Sequence, residues 1–257
     1  MTPIRSRVNP FFKELKRLAE SGRERRKSGR SLLDGVHLIA AYEAAYGPVE
    51  TLVVSESALA GGEIAVFVAG RNMTVLADSL LRDLGLVDTP SGLLAVVATP
   101  LATVAVDREK DAILLDAVQD PGNVGTILRT AAAAGIGQAL LGPGCAAAWS
   151  PKVLRAGQGA HFALAIHEDA DLGAFMADFS GTTVVTALAE ATPLYEARWD
   201  GPLAWIFGAE GQGVSPHLLE AARLRVKIPM PGAVESLNVA AAAAVCLFEA
   251  LRRKSAP

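Results

Sequence analysis

The sequence predicts an α/β protein in two parts, a small α/β domain followed by a larger one built on a mostly parallel sheet. Two observations carry this reading. From Asp111 onward, short apolar strands alternate with helical stretches, as in a sheet covered on both faces. Several of these strands run into glycine-containing loops that carry a few polar side chains. At 257 residues, 51% hydrophobic and 20% charged, the chain can fill one large core or two modest ones and is not a disordered polymer.

Residues 9–22 read as an amphipathic helix, with Phe11, Phe12, Leu15 and Leu18 at helical spacing and Gly22 ending it. Residues 31–39 open the small α/β unit. A helix is expected over 37–45, a strand over 51–54, a further apolar segment over 64–68, and a buried strand over 93–98 after the Pro90-Ser91-Gly92 turn. Residues 99–110 read as a linker, which sets domains at 1–98 and 111–257. In the second domain, strands are expected at 113–116, 138–141, 162–166, 183–187 and 203–207. A helix over 124–134 stops at Gly135, and a last helix runs from near Ser236 to about Arg253.

The net charge of -3 conceals an asymmetry. Residues 5–30 hold ten basic side chains against Glu14, Glu20 and Glu24, a net of +7, so the remainder carries -10. One concentrated basic arm on an acidic protein suits a polyanion engaged locally, although a solvated helix face would have the same composition. Repulsion within Arg23-Glu24-Arg25-Arg26-Lys27 is relieved by a partner such as RNA. No signal-peptide pattern opens the chain, and its longest greasy run, 239–248, is far short of the roughly 20 residues a bilayer requires. Cys145 and Cys246 sit in apolar company without ligand spacing and are read as buried thiols of a reducing cytoplasm. His37, His161, His167 and His217 show no metal-ligand spacing, so no metal is expected.

Three stretches carry the chemistry. In Asn123-Val-Gly125-Thr-Ile-Leu-Arg129, the preceding Asp120-Pro-Gly turn delivers the chain into a helix with Asn123 as its expected N-cap. Gly125 clears space for Arg129 one turn on, where a guanidinium can hold a phosphate or act on a hydroxyl; a capped helix with a surface arginine has the same pattern. Gly208-Ala-Glu210-Gly211-Gln-Gly213 follows a strand but is no dinucleotide loop, because Glu210 would repel a pyrophosphate. This disfavours a nicotinamide-dependent enzyme. In Ile228-Pro-Met230-Pro-Gly232-Ala-Val-Glu-Ser236-Leu237-Asn238-Val239, backbone groups can read the polar edge of an adenine while Ile228, Met230 and Leu237 flank its faces. Ser236 and Asn238 serve equally as helix caps.

In this order and spacing the three motifs resemble those of the SpoU (TrmH) family of RNA ribose 2'-O-methyltransferases, in the SPOUT superfamily. The likeness runs from about Asp111 to Arg253 and includes Ser150-Pro-Lys152-Val-Leu-Arg155-Ala-Gly-Gln-Gly159. Asn9-Pro10-Phe-Phe-Lys13 and Asp34-Gly35-Val-His37 resemble the substrate-binding domain of the bacterial ribosomal RNA members. Gly157 stands where members commonly carry serine, and Asp34 where glutamate is usual. The resemblance implies a SPOUT α/β-knot domain with a deep trefoil knot, an S-adenosylmethionine site and a homodimer with its active site near the subunit interface. It implies that Arg129 acts at the 2'-hydroxyl, as base or as electrostatic stabiliser. Asn123, Glu210, Ser236 and Asn238 would position, with Asn123 and Glu210 holding Arg129 and the loop. Gly208, Ile228, Met230 and Leu237 would meet the cofactor. Arg23, Arg25, Arg26, Lys27 and Arg155 are the expected RNA contacts. The expected substrate is large-subunit ribosomal RNA, at a guanosine; a transfer RNA enzyme and a silent ribosome-assembly factor are the alternatives.

Overall fold

Asn9 starts the first helix. Its side chain accepts from the N–H groups of Phe11 and Phe12, and Pro10 occupies a position needing no donor, which sets α1 at Pro10–Glu20. Ser21 then turns extended and caps a second helix, α2 (Gly22–Ser28), which ends on the left-handed Gly29. The single helix expected over 9–22 is therefore two helices, and Gly22 opens the second instead of ending the first. The Arg25 side chain is buried and donates to the last carbonyls of α1, Leu18 O at 2.8 Å and Ala19 O at 3.1 Å. Arg25 thus pins the α1–α2 corner and is removed from the expected RNA surface, whereas Arg23, Arg26 and Lys27 stay exposed.

The computed structural model describes residues 2–87, 89–100, 104–234 and 236–255, and the chain divides into two units. The first holds residues 1–100 and 149–162. After α2 come β1 (Arg30–Asp34), α3 (Val36–Tyr46), β2 (Thr51–Ser55), a 3-10 turn (Ser57–Ala60) and α4 (Gly62–Val68). Then follow β3 (Met73–Leu76), α5 (Asp78–Asp83) and β4 (Leu93–Ala98). The sheet order is β1-β4-β2-β3, with β4 antiparallel to both neighbours and β2 parallel to β3. Phe12, Leu15 and Leu18 of α1 close its core over Leu32, Val53, Leu76 and Leu81. The apolar segment 64–68 proves to be the body of α4. Of the expected linker, residues 101–103 lie outside the described residues.

Residues 149–162 form α7 (Pro151–Gly157), capped by Ser150, and lead into a 3-10 turn at Ala160–Ala163. Arg155 Nη1 donates to Asp34 Oδ2 at 2.6 Å. Asp34 also accepts from the N–H and hydroxyl of Ser91, at 3.1 and 3.0 Å. Burial pushes the Asp34 carboxyl up; the Ser91 hydrogen bonds and the Arg155 charge pull it back. Phe162 meets Tyr42 and Tyr46 edge-on. Arg155 is thus committed to a carboxylate of its own unit, although it was expected on RNA.

The second unit holds residues 101–148 and 163–257. It contains β5 (Ala112–Asp116), α6 (Pro121–Ala133), β6 (Gln138–Leu141), β7 (Ala165–His167), α8 (Leu172–Asp178), β8 (Thr182–Thr186) and β9 (Thr192–Pro193). After these come β10 (Leu203–Gly208), α9 (Pro216–Ala221), β11 (Leu224–Lys227) and α10 (Val239–Lys254). All pairings are parallel, in the order β7-β6-β5-β10-β8-β11-β9. The strand expected at 162–166 starts only at Ala165, the preceding residues being 3-10 turn. Leu140, Phe175, Phe179, Val185 and Ile206 fill one face, and α10 packs on α6 and β10. No helix among the described residues is long and apolar enough to cross a membrane. Both cysteines are free; burial raises the Cys145 thiol to about 11 and the Cys246 thiol to about 12.

At the end of α10, Glu249 is buried and accepts from Arg252 at 2.8 and 2.9 Å and from Arg253 at 2.6 Å. Arg253 lies over the Trp199 ring, 4.3 Å from its centroid, and donates to Leu194 O at 2.9 Å. The Arg252 hydrogen bonds lead in lowering the Glu249 carboxyl from 4.5 to about 2. A depressed carboxyl contributes stability above its unfolded value and loses it as pH falls toward the folded one. Wild type should therefore lose stability between about pH 5 and pH 2, and Glu249→Gln should flatten that part of the profile in pH-dependent denaturant unfolding. A second prediction concerns Arg155→Ala, which leaves the Asp34 carboxylate buried and unpaired. With Arg155 itself partly exposed, the loss should be about 1–3 kcal/mol of unfolding free energy in urea melts, below that for a fully buried pair.

Candidate active site

The three glycine-containing stretches follow the carboxyl ends of three parallel strands. The first follows β5, the second begins at the last residue of β10, and the third follows β11. In a parallel sheet these ends share one edge. Asp116 and Gly208 are register partners on adjacent strands. The order reverses at this pair, since β6 and β7 lie beyond β5 while β10 leads to the other strands. Open α/β sheets bind ligands in the crevice at such a reversal.

Loop geometry keeps that edge tightly folded. Asp116 Oδ2 accepts from Ser215 N at 2.7 Å, tying the loop after β10 back to β5. Gly213 N donates to Ala209 O at 2.8 Å, closing a turn that uses left-handed Gly211 and Gly213. A β-carbon on Gly208 would lie 2.2 Å from the Gly213 carbonyl and 2.3 Å from Val214 N, so the crossing requires glycine.

One residue from each stretch enters a single hydrogen-bonded chain. The Asn238 amide donates to Asn123 Oδ1 at 3.0 Å, and the Asn123 amide donates to Glu210 Oε1. Asn238 Oδ1 meanwhile caps α10, accepting from Ala240 N at 2.9 Å and Ala241 N at 3.2 Å. The expected N-cap role of Asn123 is corrected: Asp120 caps α6 by accepting from Asn123 N at 2.8 Å. Asp120 stands directly before Pro121, the usual cap-proline arrangement, so the cap was readable three residues earlier. The shift leaves the Asn123 side chain inside the first turn, free to bridge Glu210 and Asn238.

Arg129 is not part of this chain. Six residues separate it from Asn123, about 9 Å along a helix and well round from it. It is exposed and makes no hydrogen bond or ion pair among the described residues. Asn123 and Glu210 therefore hold the loop, as expected, but not Arg129. Ser236 is likewise exposed and without a hydrogen bond among the described residues. Gly208 is buried, and Ile228 and Met230 are half-buried. Leu237 is 39% exposed and Val234 62%. The structure thus gathers Asn123, Glu210 and Asn238 and leaves Arg129 and Ser236 unattached. Asp116 and Ser215, which fasten the loops, were missed because an aspartate ending a strand carries no motif.

Residues 111–248 match the model of the SpoU rRNA Methylase family. Residues 9–95 match that of the MRM3-like substrate binding domain. The chain belongs to the SpoU rRNA methylase family. Among its relatives, the 23S rRNA (guanosine(2553)-2'-O)-methyltransferase RlmP of Bacillus subtilis is 34% identical over 251 residues, covering 96% of this chain and 98% of the relative. A solved RNA 2'-O ribose methyltransferase is 31% identical with a TM-score of 0.84, over 98% of this chain and 99% of that one. The SpoU methyltransferase AviRb of Streptomyces viridochromogenes, solved in complex with AdoMet, is 26% identical with a TM-score of 0.82, over 96% and 98%.

As a SpoU methylase the chain is an RNA methyltransferase whose methyl donor is S-adenosylmethionine. The third stretch fits that donor. Among the described residues, no main-chain hydrogen bond is made by 228–234, 236 or 237, which leaves amides and carbonyls available to an adenine edge. Leu237 and Val234 supply exposed apolar surface beside them. No group of three or more potential metal ligands occurs among the described residues. Because Asn238 both caps α10 and bridges to Asn123, two substitutions separate its roles. Asn238→Asp keeps the capping oxygen but loses the donor to Asn123. It should change unfolding free energy by no more than about 0.5 kcal/mol, whereas Asn238→Ala should cost about 1 kcal/mol; both should lower methyl transfer, read in parallel denaturation and activity assays.

Proposed function

We propose that this SpoU methylase transfers a methyl group from S-adenosylmethionine to the ribose 2'-hydroxyl of a guanosine in large-subunit ribosomal RNA, in the cytoplasm. The observation that supports the reading is the Asn238–Asn123–Glu210 chain, which joins the three loops at the carboxyl edge of the sheet. The B. subtilis relative, matched almost end to end, points to the nucleoside and the RNA. Large-subunit RNA is also favoured over transfer RNA by the substrate-binding module at 9–95.

The donor, when bound, supplies a methyl group on a sulfonium, whose sulfur would keep the carbon–sulfur bond pair and depart as a neutral thioether. The protein's task is to hold the hydroxyl in line for the new carbon–oxygen bond and to stabilise charge as its proton passes to an RNA phosphate or to water. Gly208, Ile228, Met230 and Leu237 are assigned to the donor's binding loop. Asn123, Glu210 and Asn238 fix the loops, with Ser236 beside them. Arg129 is assigned to the hydroxyl. A guanidinium stays protonated at neutral pH, so it acts as a stabiliser of the developing alkoxide and not as a base.

Lys13, Arg17, Arg23, Arg26 and Lys27 are exposed on α1 and α2, without ion-pair partners among the described residues. They are assigned to RNA phosphates. The enzyme is proposed to act as a homodimer whose C-terminal chain is threaded as a trefoil knot. Support for the dimer is the outward face of α10, where Ala241 and Phe248 are exposed.

The test is methyl transfer from labelled S-adenosylmethionine to ribosomal RNA lacking the modification, with mapping of the methylated ribose. Arg129→Ala should lower transfer at least about 10²-fold while donor affinity, measured by calorimetry, changes little. Retained turnover would remove Arg129 from the mechanism, and no transfer by wild type that binds the donor would overturn the proposed activity.

A further inference from the structure

The N-terminal unit carries a cleft of about 590 Å³. It opens where the parallel strands β2 and β3 end and the antiparallel β4 begins. Its wall holds the hydroxyls of Ser57, Thr89 and Ser91, the carboxylates of Glu63 and Asp78, and the Arg82 guanidinium. Ile64, Leu81 and Pro90 give apolar surface between these polar groups. The volume accommodates a single nucleotide, and the lining pairs flat apolar surface with convergent donors and acceptors.

Three of these polar groups, Ser57, Asp78 and Ser91, are held in place by hydrogen bonds. Asp78 Oδ1 accepts from the Ser57 hydroxyl at 2.5 Å and from Ser57 N at 3.3 Å. The Ser57 hydroxyl hydrogen bond leads in lowering the Asp78 carboxyl, which keeps it an ionised acceptor. Ser91 is fixed by its bonds to Asp34 and by accepting from Leu93 N at 3.1 Å. Gly92 makes the cleft's inner wall thin. Its φ is +97°, and an added β-carbon would stand 3.0 Å from Ala58 Cβ and 3.2 Å from Ser55 Oγ. Arg82 is exposed, as Ser57 and Thr89 are; its charge helps hold the Asp78 carboxyl down, but it makes no hydrogen bond or salt bridge among the described residues.

We propose that this cleft takes one unstacked nucleotide of the substrate RNA, distinct from the nucleotide that is methylated. The Arg82 guanidinium meets its phosphate. The base lies against Ile64 and Pro90, with its polar edge toward Ser57, Asp78 and Thr89. Two carboxylates and few cations around the pocket favour a base edge rich in N–H donors, and guanine offers the most on one edge, its ring N–H and exocyclic amine. Single-stranded nucleotides with splayed bases are the form in which proteins read RNA sequence. The inference rests on the reading that the chain acts on RNA.

The experiment uses the full chain and two variants outside the methyl-transfer loops, Arg82→Ala and Thr89→Trp, the latter filling the mouth of the cleft. Steady-state transfer to unmodified ribosomal RNA is measured with binding of a short guanosine-containing single-stranded RNA by fluorescence anisotropy. Each variant should raise KM for RNA and weaken anisotropy binding about tenfold, with kcat and donor affinity kept; Arg82→Lys should recover part of the loss. Replacing guanosine by inosine in the short RNA, which removes the exocyclic amine, should weaken wild-type binding and leave Thr89→Trp indifferent. Unchanged KM and binding in both variants, or a loss confined to kcat, overturns the cleft. RNA binding that depends on the cleft in a chain without transferase activity would instead overturn the proposed activity and leave the cleft standing.

Discussion

The parallel pairing of β5 with β10 is the constraint on which the site depends. These strands meet in mid-sheet, and their register sets Asp116 beside Gly208. Asp116 can then reach Ser215 N, and the chain can cross Gly208 at a distance only glycine permits. β10 is buried along its whole length, with Trp205 and Phe207 stacked on one face, so its end is a rigid platform. Loops leaving such an end are held by the sheet and need little ordering when a ligand arrives.

From that platform the polar chain follows. An asparagine amide donates and accepts at once, so Asn123 can link a carboxylate on one loop to an amide on another. Asn238 is better fixed than its exposure suggests, because its oxygen is committed to the first turn of α10. That 16-residue helix is anchored at its far end through Glu249, Arg253 and Trp199. The position of Asn238 is thus set from both ends of α10. Arg129 has no comparable tether among the described residues, which suits the proposed role at the RNA hydroxyl.

Much of this was legible in the sequence. Parallel strands declared themselves as short apolar runs because burial on both faces leaves no room for polar alternation. The three motifs were legible because glycine beside a polar side chain is costly except where backbone crowding or a ligand requires it. What could not be read were partnerships made across long separations. Asn123 passed for a cap because the type of residue fits, and only the fold reveals Asp120 in that role. Arg25 and Arg155 counted as free surface cations because charge is visible in a sequence, whereas the burial of Arg25 and the partner of the half-exposed Arg155 are not. One is spent on the carbonyls that end α1, the other on Asp34, 121 positions earlier. Glycine at 22 likewise serves either end of a helix, and the extended Ser21 decides which.

The domain division is the reading that the structure alters most. A cut after residue 98 looks natural in sequence, but the chain passes between the two units at 100–101, again at 148–149 and again at 162–163. The returning segment is no loose excursion: Val153 and Leu154 are fully buried, Trp149 nearly so, and Arg155 neutralises a buried carboxylate on β1. Removing residues 1–98 would strip the partners of this segment, and its apolar side chains would then face water within the remaining chain. A truncation meant to isolate the RNA-binding part would therefore also damage the transferase part through the exposed segment. Point substitutions at the exposed cations of α1 and α2 address the proposed RNA contacts more cleanly, since they leave the Asp34–Arg155 pair intact.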